Sequence, residues 1–405
     1  MKTDISYSTL PNGLRTVAIH RPDATVEHCG VAIDAGSRDE TPETYGLAHF
    51  VEHTIFKGTT HRRAWHILNR MELVGGELNA FTTKEETTVY STYPAGNTPR
   101  ALELIADLVA ESQFPAAEID KEREVVADEI DTYLDMPSEA IFDDFDELAF
   151  AGSPLAHPIL GTRQTLEGLD SATCRRFIDT RYTPGRMVLF YSGALSREKF
   201  HSLALRYFGG LDRNDLPSGR QTPPAVAPFD IVRTIGTHQA HTIMGARIDG
   251  LHSPNRYAMN LLTNILGGPG MNSLLNLHLR ERKGLVYTID ASLTRLTDCG
   301  LFAVYFGCDP KDTRRCADTV ARIIAGLAET PLTDRQLRQA KTQYLGQLTV
   351  SSVNTEQTAL SAAHSTLQRG TATTIEEVSR EIMALTPEEI RTAAASLNLN
   401  RLTLC

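Results

Sequence analysis

The sequence predicts an α+β protein built from two homologous α/β domains, each a mostly antiparallel sheet covered by helices. Three observations carry this reading. At 405 residues the chain is longer than one ordinary hydrophobic core serves. Short segments that alternate apolar and polar residues, as half-buried strands do, are interleaved with longer segments whose apolar residues return every three or four positions, as in helices. The order of these segments then begins again after a stretch rich in Pro, Ser and Gly, which points to a duplication. The boundaries are 1–211 for the first domain, 212–229 for the linker and 230–405 for the second domain.

In the first half, residues 14–20 and 26–33 alternate and read as an antiparallel strand pair turning at Arg21-Pro22-Asp23. A loop over 35–40 leads to a helix within 44–58, whose apolar positions are Leu47, Phe50, Val51 and Ile55. A second helix over 63–74 stops at Gly75-Gly76. Residues 77–93 are rich in Thr, Val and Tyr and read as strand. Helices follow over 98–113, 116–134, 138–150 and 165–182, then a strand over 187–192 and a helix over 196–208. The linker holds Pro217, Pro223, Pro224 and Pro228 and has no apolar period. In the second half, 231–235 with 241–248 repeats the opening strand pair, and 255–266 takes the place of the helix at 44–58. Residues 275–282 and 287–293 follow as helix and strand. A strand over 301–308, helices from 311 to about 398 and a short strand over 402–404 complete the chain.

The composition excludes some classes. Hydrophobic residues make up 41% and charged residues 22%, a soluble globular balance. A net charge of −10, with no Lys/Arg stripe, argues against nucleic-acid binding. Cys29, Cys174, Cys299, Cys308, Cys316 and Cys405 are scattered and form no C-x-x-C pair, which favours reduced thiols and a cytoplasmic location. There is no signal-peptide core and no apolar run of membrane-spanning length.

The chemistry concentrates in His49-Phe50-Val51-Glu52-His53. Two His four apart on a helix stand one above the other, so both imidazoles reach one metal ion. Glu52 falls beside the metal rather than on it, where a general base belongs next to a bound water. The order H-x-x-E-H is the signature of the inverzincin metallopeptidases. A site that keeps a position open for water needs one more protein ligand, and the acid-rich segment 116–134 is the natural source. On that segment Glu122 and Glu129, seven apart, share a face.

With these residues in view, the chain resembles the pitrilysin, insulysin and mitochondrial processing peptidase family from Gly13 to about Gly370. Glu129 stands 76 residues after His53, the separation of that family's third zinc ligand, and Glu122 falls on the Glu that backs the ligands. Gly75-Gly76-Glu77-Leu78-Asn79-Ala80 looks like the segment whose edge strand pairs with substrate, implying contacts from Gly76, Asn79 and Ala80. Leu279-Arg280-Glu281-Arg282-Lys283-Gly284-Leu285-Val286-Tyr287 is similar to the family's L-R-E-K-R-G-L-x-Y. There Arg280 and Tyr287 match the pair that reaches the substrate carbonyl, and each can donate to a developing oxyanion. The Gly-rich turn 267–270 resembles a substrate loop but carries Pro269, and a plain helix connection explains it as well.

The resemblance implies a zinc-dependent endopeptidase that hydrolyses peptides or unfolded segments within an enclosed chamber. His49, His53 and Glu129 would hold the metal, and Glu52, Arg280 and Tyr287 would carry the chemistry. One Zn²⁺ per chain is expected, because Tyr257, Met259 and Leu261 stand where the second half would need a His pair. The two domains would form half of a clamshell that a homodimer completes, or a heterodimer with a related subunit. The alternative is a non-catalytic scaffold or the partner subunit of a heterodimeric processing peptidase.

Overall fold

The computed structural model of the protein describes residues 4–212 and 219–405. The first half forms β1 (Asp4–Thr9), β2 (Arg15–His20), β3 (Val26–Ile33), α1 (Leu47–Thr54), α2 (Ala64–Glu72), β4 (Glu77–Thr82), β5 (Thr87–Pro94), α3 (Thr98–Glu111), α4 (Ala116–Leu134), α5 (Pro137–Ala149), α6 (Arg163–Glu167), α7 (Ser171–Arg181), β6 (Met187–Gly193) and α8 (Arg197–Phe208). The second half forms β7 (Asp230–Arg233), β8 (Ala240–Asp249), α9 (Arg256–Gly267), β9 (Val286–Arg295), β10 (Cys299–Cys308), α10 (Thr313–Glu329), α11 (Asp334–Ser351), α12 (Thr355–Arg369), α13 (Ile375–Ala384), α14 (Pro387–Ala395) and β11 (Asn400–Leu404).

Two sheets result, ordered β1-β2-β6-β3-β5-β4 and β7-β11-β8-β10-β9. Without the extra edge strand β1 they are one pattern twice: β2 and β6 run parallel, as do β7 and β11, and the other pairings are antiparallel. The expected mixed architecture and its repeat are therefore present. The expected pairing of 14–20 with 26–33 is not. β6 lies between them, with Val17 opposite Phe190 and Phe190 opposite Gly30, and β11 likewise separates β7 from β8. The reason is burial: all seven residues of β6 are buried, so a strand remote in sequence takes the central place that a hairpin partner would otherwise hold.

Two local expectations also change. The single helix over 165–182 is two, because the Asp170 carboxylate accepts from the Thr173 N–H at 2.8 Å and caps a new start. Residues 275–282 form a wide π-type turn over Asn276–Glu281, where the Arg282 N–H reaches back to the Leu277 carbonyl.

Packing divides the chain into two units, Met1–Asp131 with His157–Arg220 and Ser352–Thr374, and Thr132–Ala156 with Gln221–Ser351 and Ile375–Cys405. Sheet cover thus departs from contiguous halves at 1–211 and 230–405. In the first unit Ala18, Val31 and Leu189 face α1, α3, α7 and α8, while Val17, Ile19, Ala32 and Phe190 face Ala359, Ala362 and Ala363 of α12. In the second unit Met244, Phe302 and Val304 face the helices of their own half, while Ile243, Leu301 and Leu402 face Ile141 and Phe145 of α5. Each sheet alternates apolar side chains to both faces, so both faces need cover. Of the linker 212–229, residues 213–218 lie outside the described residues. Arg220 pairs with Asp34 and Asp39 at 2.6 Å each in the first unit, and Pro223 and Pro224 accept from Arg247 in the second.

Candidate metal centre

The site is built on α1, eight residues long. Phe50, Val51 and Thr54 are fully buried and fix the helix to the core. Gly46 precedes it at φ +94° with no side chain to cap it, and a Cβ there would stand 2.6 Å from the Leu160 carbonyl oxygen. The cap comes instead from Glu40. Its Oε1 accepts from the Ala48 N–H at 2.6 Å and its Oε2 from the Gly46 N–H at 2.8 Å, while His157 Nε2 donates to Oε2 at 2.9 Å. Burial pushes the Glu40 carboxyl well up, and the two backbone N–H groups oppose it.

His49 and His53 stand one turn apart with ring centroids 4.5 Å apart at 61°. From α4, Glu129 Oε2 comes within 3.8 Å of His49 Nε2 and 3.4 Å of His53 Nε2. Ligand atoms bound to one tetrahedral zinc at about 2.0–2.1 Å lie roughly 3.3–3.5 Å apart, so this donor set fits the ion. Among the described residues it is the one group of three or more His, Cys, Asp or Glu side chains that can converge on a metal. Burial, then the neighbouring His53, pushes His49 down to about 3, so its imidazole is neutral and keeps a lone pair to give. Behind His53, Glu122 Oε1 accepts from Nδ1 at 3.0 Å and Glu122 Oε2 from Lys57 Nζ at 2.6 Å. The buried His49 Nδ1 has no hydrogen-bond partner among the described residues.

Glu52 follows on the same helix. Burial raises its pKa, opposed by the Thr82 hydroxyl and by His53. Thr82 ends β4, the outer strand of its sheet. Asn79 and Ala80 lie half-buried on that strand. Gly76, just before it, packs so tightly that a Cβ would sit 2.8 Å from that of Tyr93, a structural reason for glycine that needs no substrate. Arg280 and Tyr287 belong to the second unit and are both exposed. The Tyr287 hydroxyl donates to Asp309 Oδ1 at 2.6 Å.

Sequence reasoning missed Lys57, Glu40 and His157. Lys57 follows His53 by one helical turn and was open to a spacing argument. His157 lies 117 residues from Glu40 and left no local signal, whereas the glycine where α1 needed a capping side chain hinted at a carboxylate supplied from outside the helix, which Glu40 provides from six residues upstream.

Two helical histidines and one acid thus make a candidate metal site on a duplicated fold, and comparison with known proteins supplies the family. Residues 15–163 match the family model described as Insulinase (Peptidase family M16), and residues 169–344 match the one described as Peptidase M16 inactive domain. The chain belongs to peptidase family M16. It is 31% identical over 393 residues to YmxG, named a zinc protease, of Bacillus subtilis, covering 97% of this chain and 95% of that protein. It is 33% identical over 315 residues to the mitochondrial-processing peptidase subunit beta of Lentinula edodes, covering 74% and 67%. A crystallised protease from Helicobacter pylori shares the fold with a TM-score of 0.92 at 20% identity over 99% of both chains.

Proposed function

We propose that the protein is a zinc endopeptidase of the H-x-x-E-H type acting on peptides or unfolded polypeptide segments. The observation that carries this is the convergence of His49, His53 and Glu129 with Glu52 one position before His53. Zinc held by those three residues would supply Lewis acidity to the peptide carbonyl and to an attacking water. Glu52 takes a proton from that water as oxygen adds to the carbonyl carbon, then gives it to the amine as the C–N bond breaks. One water is consumed, and a carboxylate and an amine are released. Glu122 holds the His53 ring through Nδ1 so that Nε2 faces the metal. The edge of β4 gives an extended peptide a strand to pair with, at Gly76, Asn79 and Ala80.

Arg280 and Tyr287 donate to the oxyanion across a chamber closed by a second subunit. A homodimer with one zinc per chain is the simplest such assembly. The Lentinula edodes relative, named as a subunit, supports a heterodimer as the second reading, in which this chain partners or scaffolds a related one. All six cysteines are free and no described helix is long and apolar enough to cross a membrane, in keeping with a reducing, cytoplasmic setting. A fluorogenic peptide assay on the gel-filtered protein tests the reading: chelation abolishes cleavage, zinc restores it, and activity elutes at the mass of a dimer. Full cleavage by metal-free protein would rule it out.

A further inference from the structure

The two histidines of the metal centre are held by different means. The His53 ring is braced through Nδ1 by Glu122 at 3.0 Å, whereas the buried Nδ1 of His49 has no partner among the described residues. The position of His49 therefore depends on its backbone. It is the third residue of an eight-residue helix, a length that does not support itself and whose opening N–H groups lack partners within the helix. Glu40 fills that need from outside: its side chain is fully buried, one oxygen takes the N–H of Ala48, the residue before His49, and the other takes that of Gly46. A carboxylate at a helix N-terminus also meets the positive end of the helix dipole. His157 closes the arrangement. It donates to Glu40 at 2.9 Å, its ring stacks on Tyr45 at 3.6 Å and 7°, and its carbonyl accepts from Lys84 Nζ at 2.6 Å.

We infer that Glu40 and His157 form a clasp on the start of α1 that sets the position of His49 and with it the zinc affinity of the site. They are positioning residues, since neither side chain is among the three that converge on the metal. The inference rests on the zinc peptidase reading and adds what holds its first ligand in place.

The test measures zinc affinity by competition with a chelator for the full-length wild type, Glu40→Ala, Glu40→Gln and His157→Phe, with thermal unfolding of each metal-free protein alongside. His157→Phe keeps a ring against Tyr45 and removes the hydrogen bond to Glu40, so it decides the matter if Glu40→Ala does not fold. Glu40→Ala is expected to weaken zinc binding about ten- to a hundredfold, with Glu40→Gln and His157→Phe between it and wild type. At limiting zinc kcat falls while KM holds, and added zinc restores kcat, which a merely unfolded protein would not show. Variants that fold and bind zinc within about twofold of wild type overturn the clasp alone. Wild-type protein that binds no zinc overturns the peptidase reading and the clasp with it.

Discussion

Glu129 and Glu122 sit two turns apart on α4 and meet different atoms: Glu129 Oε2 lies near both His Nε2 atoms, whereas Glu122 meets the far nitrogen of His53 and Lys57 Nζ. Glu129→Gln should therefore lose zinc. Glu122→Gln should keep it with affinity lowered about ten- to a hundredfold, because the amide braces the ring less well. Metal analysis after dialysis separates the two, and zinc retained by Glu129→Gln but lost by Glu122→Gln would reverse the assignment. The spacing of His49, Glu52 and His53 was legible because a helix fixes which residues share a face. The choice of carboxylate rested on resemblance, since seven-residue spacing admits Glu122 and Glu129 alike, and only the distances separate them. The contact of His157 with Glu40 was not legible, because a contact across 117 residues leaves no local pattern.

Among elements, most strands were legible although β1 (Asp4–Thr9) was not foreseen, and which strands neighbour one another was not. Alternation reports that a segment has two faces, but a fully buried run such as β6 says nothing about which strands flank it. Glu27 on β3 shows how that central position is secured. Its carboxylate accepts from Tyr191 on β6 at 2.5 Å, from Thr98 at 2.7 Å and from the N–H groups of Ala194 at 2.9 Å and Gly96 at 3.2 Å. Burial pushes its pKa up, but those donors outweigh it and hold the group below its ordinary value. A carboxylate depressed in the folded state adds stability above its unfolded pKa of about 4.3, and loses it as pH falls through the folded value. Glu27→Gln should cost about 1–3 kcal/mol at neutral pH. Urea unfolding should show the gap narrowing below about pH 4. An equal gap at pH 7 and about pH 3 would mean that the charge contributes nothing.

At the scale of the molecule, duplication was legible in the repeated order of elements, and the exchange of α5 and α12 between the sheets of the two halves was not. Helical periodicity shows that each has an apolar face, but not which sheet takes it. The exchange has a consequence for cutting the chain at the linker. Residues 1–211 alone lack α12, which leaves Val17, Ile19, Val188 and Phe190 of the first sheet uncovered. Expressed by itself this segment should aggregate or bind a hydrophobic dye, and a soluble, cooperatively melting fragment would show that α12 is dispensable. The claim on which the rest depends is that a base beside the metal, and not the metal alone, performs hydrolysis. It is tested by measuring peptide turnover of Glu52→Gln under conditions in which metal analysis confirms its zinc. The site predicts zinc content equal to wild type and turnover lowered at least about a hundredfold, whereas a zinc-loaded mutant that keeps more than a few per cent of wild-type turnover contradicts it.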